Sequence, residues 1–80
     1  MSYTVYSKEN CPQCTQVIQV MKARKLEHTV LKLDTDFTRE DLNAKVEQAG
    51  GPAPRSFPQV FLDERHIGDF TAFREHVLAN

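Results

Sequence analysis

Two cysteines stand in the run Cys11-Pro12-Gln13-Cys14, and the chain has no others. A short apolar stretch precedes the run and an amphipathic one follows it. Cys11 therefore falls where a strand gives way to a helix. The first turn of a helix carries free amide donors and the positive end of the helix dipole, and both favour a thiolate over a thiol. A second thiol one turn along can then form, break and pass on disulfides. On this reading Cys11 is the nucleophile. Cys14, three residues on and on the same helical face, is the resolving thiol. Lys8, three residues before Cys11, either adds positive charge beside it or is an ordinary solvated lysine.

The same pair has a rival use in metal binding. Zinc wants four ligands, and His28, His66 and His76 are not paired at ligand spacing, so half of a zinc site is missing. A subunit-bridging iron–sulfur cluster needs thiolates from elsewhere. A non-enzymatic zinc or iron–sulfur carrier is thus the competing class, and no bound metal or cofactor is expected.

The elements that must position the cysteines can be read along the chain. Tyr3 to Ser7 is rich in aromatic and β-branched residues and reads as a strand. Pro12 suits the first turn of a helix, where its missing N–H costs nothing. Cys14, Val17, Ile18 and Met21 form a helical stripe that predicts a helix to about Lys25. His28 to Leu33 is a second strand. Thr38 and Asp41 have the spacing of a capping box, with Asp in place of the usual Glu. They open a helix with Leu42, Val46 and Ala49 on its apolar face, ended by Gly50-Gly51. Pro52 to Arg55 is a loop, and Gln59 to Leu62 a third strand. Asp63 to Arg65 makes a turn, and His66-Ile67 a short fourth strand broken at Gly68. Phe70, Phe73 and Val77 mark a last helix. The order β-α-β-α-β-β-α predicts an α/β fold. Its first two strands should be parallel with a right-handed crossover and its last two antiparallel, in a four-stranded mixed sheet flanked by three helices.

Bulk properties narrow the class. Eighty residues allow one small domain, spanning 1–80. A secreted domain of this size usually relies on several disulfides, which two neighbouring cysteines cannot supply. Ten basic and eleven acidic residues give a formal charge of -1, and the basic ones are scattered. Neither a nucleic-acid groove nor a membrane patch is expected. No signal peptide and no apolar run near the ~20 residues of a membrane span can be read. The expectation is a soluble, cytoplasmic, monomeric protein.

A strand, then Cys-Pro-x-Cys, then a helix resembles the minimal, glutaredoxin form of the thioredoxin-like fold. Arg55-Ser56-Phe57-Pro58-Gln59-Val60-Phe61-Leu62 is similar to the glutaredoxin segment R-T-V-P-Q-V-F-I. His66-Ile67-Gly68-Asp69-Phe70 follows at the right distance and is similar to the family's I-G-G-x. The resemblance covers essentially the whole chain. It implies a disulfide oxidoreductase that reduces protein disulfides and glutathione mixed disulfides, with glutathione as co-substrate. Ribonucleotide reductase is an implied protein client. It further implies a cis bond before Pro58, with Phe57 and Pro58 facing the cysteine pair and the Phe57 backbone pairing with an extended substrate. Lys8, Pro12, Gln13 and Arg55 would lie on glutathione, the last two at its glycine carboxylate. Gly68, Asp69 and Thr71 would lie near its γ-glutamyl end. On the residues alone, Asp69 and Thr71 are equally well read as helix caps, and Gly68 as a close approach or an unusual φ. Tyr6 is expected beside the substrate groove, and Phe61, Phe70 and Phe73 in the core. The Gly51-Pro52 region is longer than is typical of the family, and three departures of residue type are visible: Gln13 for the usual aromatic residue, Asp69 for the second glycine, and Thr71-Ala72 for the acidic pair. They point to a second possible reductant, thioredoxin reductase, in place of glutathione.

Overall fold

The structure, a computed structural model, describes residues 2–51, 54 and 56–79. Seven elements occur in the expected order: β1 (Tyr3–Ser7), α1 (Pro12–Ala23), β2 (His28–Lys32), α2 (Arg39–Gln48), β3 (Gln59–Leu62), β4 (Arg65–Gly68) and α3 (Phe70–Leu78). The strands form one sheet in the order β2-β1-β3-β4. β1 and β2 run parallel, as a helical connection requires. β3 is antiparallel to both β1 and β4, the latter joined through the turn at Asp63-Glu64.

The sheet is covered on both faces, so its central strand is apolar on both sides. Tyr3 and Val5 of β1 meet Val17 and Met21 of α1, Val60 of β3, and Phe73 and Val77 of α3. Tyr6, one residue further, turns to the opposite face, because side chains alternate along a strand. There it packs with Cys14, Phe37, Phe57 and Phe61 and with Leu42 and Val46 of α2. Tyr6 is only 7% exposed, its ring edge-on to Phe37 and Phe61 with centroids 4.9 and 5.5 Å away. The expectation that Tyr6 lines a substrate groove is therefore corrected: it is core.

The ends of the elements follow local chemistry. Thr38 caps α2 in a complete capping box. The Asp41 N–H donates to Thr38 Oγ1 at 3.1 Å, and the Thr38 N–H donates back to Asp41 Oδ2 at 3.0 Å. Asp is shorter than Glu, yet it closes the box. α1 stops at Ala23, earlier than the stripe predicts, because Lys25 takes a left-handed φ of 57°. Ala49, expected on the apolar face of α2, is its exposed C-cap. Arg65 belongs to β4, not to the turn before it. Gly68 is the last residue of β4, at φ +128°, and a Cβ there would come within 2.8 Å of the Ala72 methyl. Both readings of that glycine, a close approach and an unusual φ, hold together.

Candidate active site

The site is built where β1 ends. The chain leaves β1 through the exposed Lys8 and Glu9 and the left-handed Asn10 (φ 54°), a conformation Asn tolerates better than most residues. Cys11 follows with extended backbone (φ -119°, ψ 94°) and is the N-cap of α1. Its sulfur does what a Ser or Asp oxygen does at other helix starts: the Cys14 N–H donates to Cys11 Sγ at 3.2 Å. Pro12 fills the first helical turn. The sequence thus places the sulfur against a helix amide and at the positive end of the helix, and both stabilise negative charge on it.

Cys11 and Cys14 are joined in a disulfide, with Cα atoms 5.2 Å apart. The two are not equivalent. Cys14 is 3% exposed, sealed among the aromatic residues of the α2 face, whereas Cys11 is half-buried at the rim. A groove of about 720 Å³ opens beside the pair, lined by Lys8, Cys11, Pro12, Ile18, Val30 and Lys32 among others. The Phe57–Pro58 peptide bond is cis. Phe57 and Pro58 are both buried, with Phe57 in the same apolar cluster as Cys14, and Cys11 packs against that cluster.

Phe57 also gathers charge. Lys8 Nζ lies 5.8 Å and the Arg39 guanidinium carbon 5.5 Å from the centre of its ring. Among the described residues the two ion pairs are Lys32–Glu9 and Lys45–Glu64, so neither Lys8 nor Arg39 is neutralised by a carboxylate. Arg39 is the residue that reading the sequence misses. It was visible only as part of a capping motif, and nothing local says that the first residue of α2 reaches the segment before Pro58.

The remaining expected residues divide. Pro12 and Gln13 are exposed on the first turn of α1, beside the disulfide. Gly68, Asp69 and Thr71 lie at the junction of β4 and α3. The Asp69 carboxylate is engaged as the α3 N-cap, accepting from the Ala72 N–H at 3.0 Å. That agrees with the capping reading of Asp69. Thr71 is exposed in the first turn of α3, with no capping bond of its own. Arg55 lies outside the described residues. His28, His66 and His76 are dispersed, each bonded elsewhere: His28 to the Leu26 carbonyl, His66 to Gln59, and His76 to the Tyr3 hydroxyl. Among the described residues no three of the metal-binding side chains come together, and no helix is long and apolar enough to cross a membrane.

A four-stranded mixed sheet with three helices, a Cys-x-x-Cys disulfide at the strand-to-helix junction and a cis Phe57–Pro58 bond, whose Phe57 packs in the cluster of Cys14, define a thioredoxin-fold redox protein. The sequence profile of the glutaredoxin family matches residues 3–67. The chain belongs to the glutaredoxin family and carries its redox-active disulfide. It is 38% identical to a glutaredoxin of Vernicia fordii over 68 residues, which are 84% of this chain and 62% of that protein. It thus spans less than two thirds of that relative's length. It is 27% identical to glutaredoxin 1 of Escherichia coli over 86 aligned positions, covering all of this chain and 96% of that one. The solved structure of reduced Escherichia coli glutaredoxin superposes with a TM-score of 0.81 at 27% identity, over 100% of this chain and 96% of that chain.

Proposed function

We propose that this protein is a dithiol disulfide oxidoreductase that uses glutathione as its reductant. The observation that carries the reading is the asymmetry of the pair: one sulfur at the rim, bonded to a helix amide, and the other sealed beneath it. In the reduced protein the Cys11 thiolate attacks one sulfur of a substrate disulfide. The substrate S–S bond breaks, its other sulfur leaves as a thiolate and takes up a proton, and a mixed disulfide joins Cys11 to the substrate. Cys14, deprotonated, then attacks Cys11 Sγ. This releases the second substrate thiol and leaves the Cys11–Cys14 disulfide. Two electrons and two protons have moved from the protein to the substrate. Two glutathione thiols reverse the cycle and leave as glutathione disulfide.

Two features support glutathione as partner. Lys8 and Arg39 set two unpaired cations at the mouth of the site, and glutathione carries two carboxylates. Pro12, Gln13, Phe57 and Pro58 are the proposed contacts around the exchanging sulfur, with Phe57 in the cluster that holds Cys14. Gly68 and Thr71 are proposed at the γ-glutamyl end, and Arg55 at the glycine carboxylate with Gln13. Protein clients are proposed to be disulfide-bearing proteins, with ribonucleotide reductase the first to try.

The test is turnover of a small glutathione mixed disulfide, with glutathione and glutathione reductase in one assay and thioredoxin reductase in the other. Turnover with glutathione is expected, and it should fall when Lys8 or Arg39 is replaced by Gln. Turnover with thioredoxin reductase alone would overturn glutathione as the reductant while leaving the dithiol chemistry in place.

A further inference from the structure

Gln59 is a buried polar side chain, 4% exposed, on the strand that follows Pro58. Both ends of its amide are used. Its Nε2 donates to the Ser56 carbonyl at 2.8 Å, and its Oε1 lies 2.7 Å from His66 Nε2. The first bond fixes the second. A carbonyl can only accept, so the Gln59 nitrogen faces Ser56 and its oxygen faces His66. His66 must then be the donor, with its proton on Nε2. The chain of bonds runs one way, from β4 to the loop: His66 to Gln59 to Ser56.

The register of the sheet makes this reach possible. Phe61 pairs with His66, but Val60 pairs with Gly68, so Ile67 is an extra residue in β4. His66, Phe61 and Gln59 stay on one face, and the His66 ring lies against Phe61 with centroids 4.9 Å apart. His66 therefore cannot swing away from Gln59 without losing its place on Phe61.

The carbonyl held at the far end belongs to the Ser56–Phe57 peptide plane. A peptide plane is rigid, so holding its oxygen also aims its N–H, which is that of Phe57. We infer that Gln59 and His66 are positioning residues: they orient the Phe57 backbone N–H for pairing with the extended backbone of a peptide disulfide substrate. The inference rests on the oxidoreductase reading above, but not on glutathione as reductant.

The experiment uses pre-reduced protein in a single turnover, so that no reductant is involved. The rate of exchange with a glutathionylated peptide is measured beside the rate of Cys11 alkylation by iodoacetamide, which needs no backbone pairing. Three variants are compared. Gln59→Met keeps length and loses both bonds. Gln59→Glu keeps the acceptor for His66 and, while ionised, loses the donor to Ser56, and its rate is read on the high-pH plateau where the carboxylate is ionised. His66→Phe keeps a ring on Phe61 and loses the donor to Gln59. Loss of one orienting hydrogen bond predicts roughly a three- to tenfold slower peptide exchange in both Gln59 variants, and a smaller loss in His66→Phe, with alkylation within about twofold of the parent. Gln59→Glu separates orientation from packing, because it fills the same space. Unchanged peptide exchange in Gln59→Glu, or peptide exchange and alkylation slowed in parallel, overturns the inference. Failure of the parent protein to exchange with any disulfide overturns the oxidoreductase reading instead. If a variant unfolds, the surviving pair still decides, since each Gln59 variant alone removes the bond to Ser56.

Discussion

At the residue scale, Cys11 and Cys14 differ in exposure and in hydrogen bonding, and the proposed division of labour rests on that difference. Cys11→Ser removes the rim sulfur and should abolish all exchange. Cys14→Ser leaves it in place, so removal of glutathione from a mixed disulfide should persist while reduction of protein disulfides is lost. Loss of both activities in Cys14→Ser would show that the assigned division of labour is wrong. His66 gives a second prediction. Burial pushes its pKa below the ordinary 6.5, opposed in part by the negative charge of Asp69. The unfolded chain then binds more protons than the folded one between about 6.5 and the lowered value, so stability rises with pH there. The contribution is complete above about 6.5 and is lost as pH falls through the folded pKa. Urea midpoints taken from about pH 7.5 down to about pH 5 should fall more steeply for the parent than for His66→Phe. Parallel slopes would mean that the His66 environment does not discriminate against its charged form.

At the scale of elements, the helix starts are held by side chains that local sequence specifies. The Thr38–Asp41 box satisfies two backbone donors. Thr38→Ala should cost about 1 kcal/mol in chemical denaturation. The double variant with Asp41→Ala should cost less than the sum of the two singles, because they share one motif. Gly68 is a stricter position. A methyl group there would meet the Ala72 methyl at 2.8 Å on a backbone of φ +128°, and no flexible side-chain end can move aside. Gly68→Ala should cost about 1–3 kcal/mol. A neutral substitution would mean that β4 and α3 can separate freely. Such features were legible beforehand because they are local: a box three residues long, a Cys-Pro-x-Cys at a change of period, a stripe at helical spacing. All seven elements were legible on the same grounds. What stayed hidden depends on contacts between elements. Arg39 meets Phe57 only because α2 starts beside the segment before Pro58. The side of the sheet taken by Tyr6 depends on β1 lying in the middle and being covered twice. The His66–Gln59 bond depends on one extra residue in β4. The first two join segments far apart in sequence; the third joins residues seven apart, and only the register of β4 decides that they meet.

At the scale of the whole molecule, the sheet separates two cores that stabilise the same domain but stand differently toward the chemistry. Met21, fully buried, packs with α3 on the face away from the aromatic cluster. Phe61, 2% exposed, packs under the site, touching Tyr6 and His66 in the cluster that also holds Cys14 and Phe57. A chain of this length has a total stability of about 4–12 kcal/mol, so both positions need gentle substitutions to stay folded. Met21→Leu conserves volume and should cost less than about 1.5 kcal/mol. Phe61→Leu removes a ring and should cost about 1–3 kcal/mol. Their functional effects should part more clearly than their stabilities. With the folded fraction fixed by urea titration in the assay buffer, Met21→Leu should exchange with a glutathionylated peptide at the parent rate per folded molecule. Phe61→Leu frees the His66 ring and, through Gln59, the Ser56–Phe57 peptide. It should therefore exchange more slowly per folded molecule, while its Cys11 alkylation stays near that of the parent. Equal exchange rates per folded molecule in the two variants would show that the aromatic face supports the site only by keeping the protein folded.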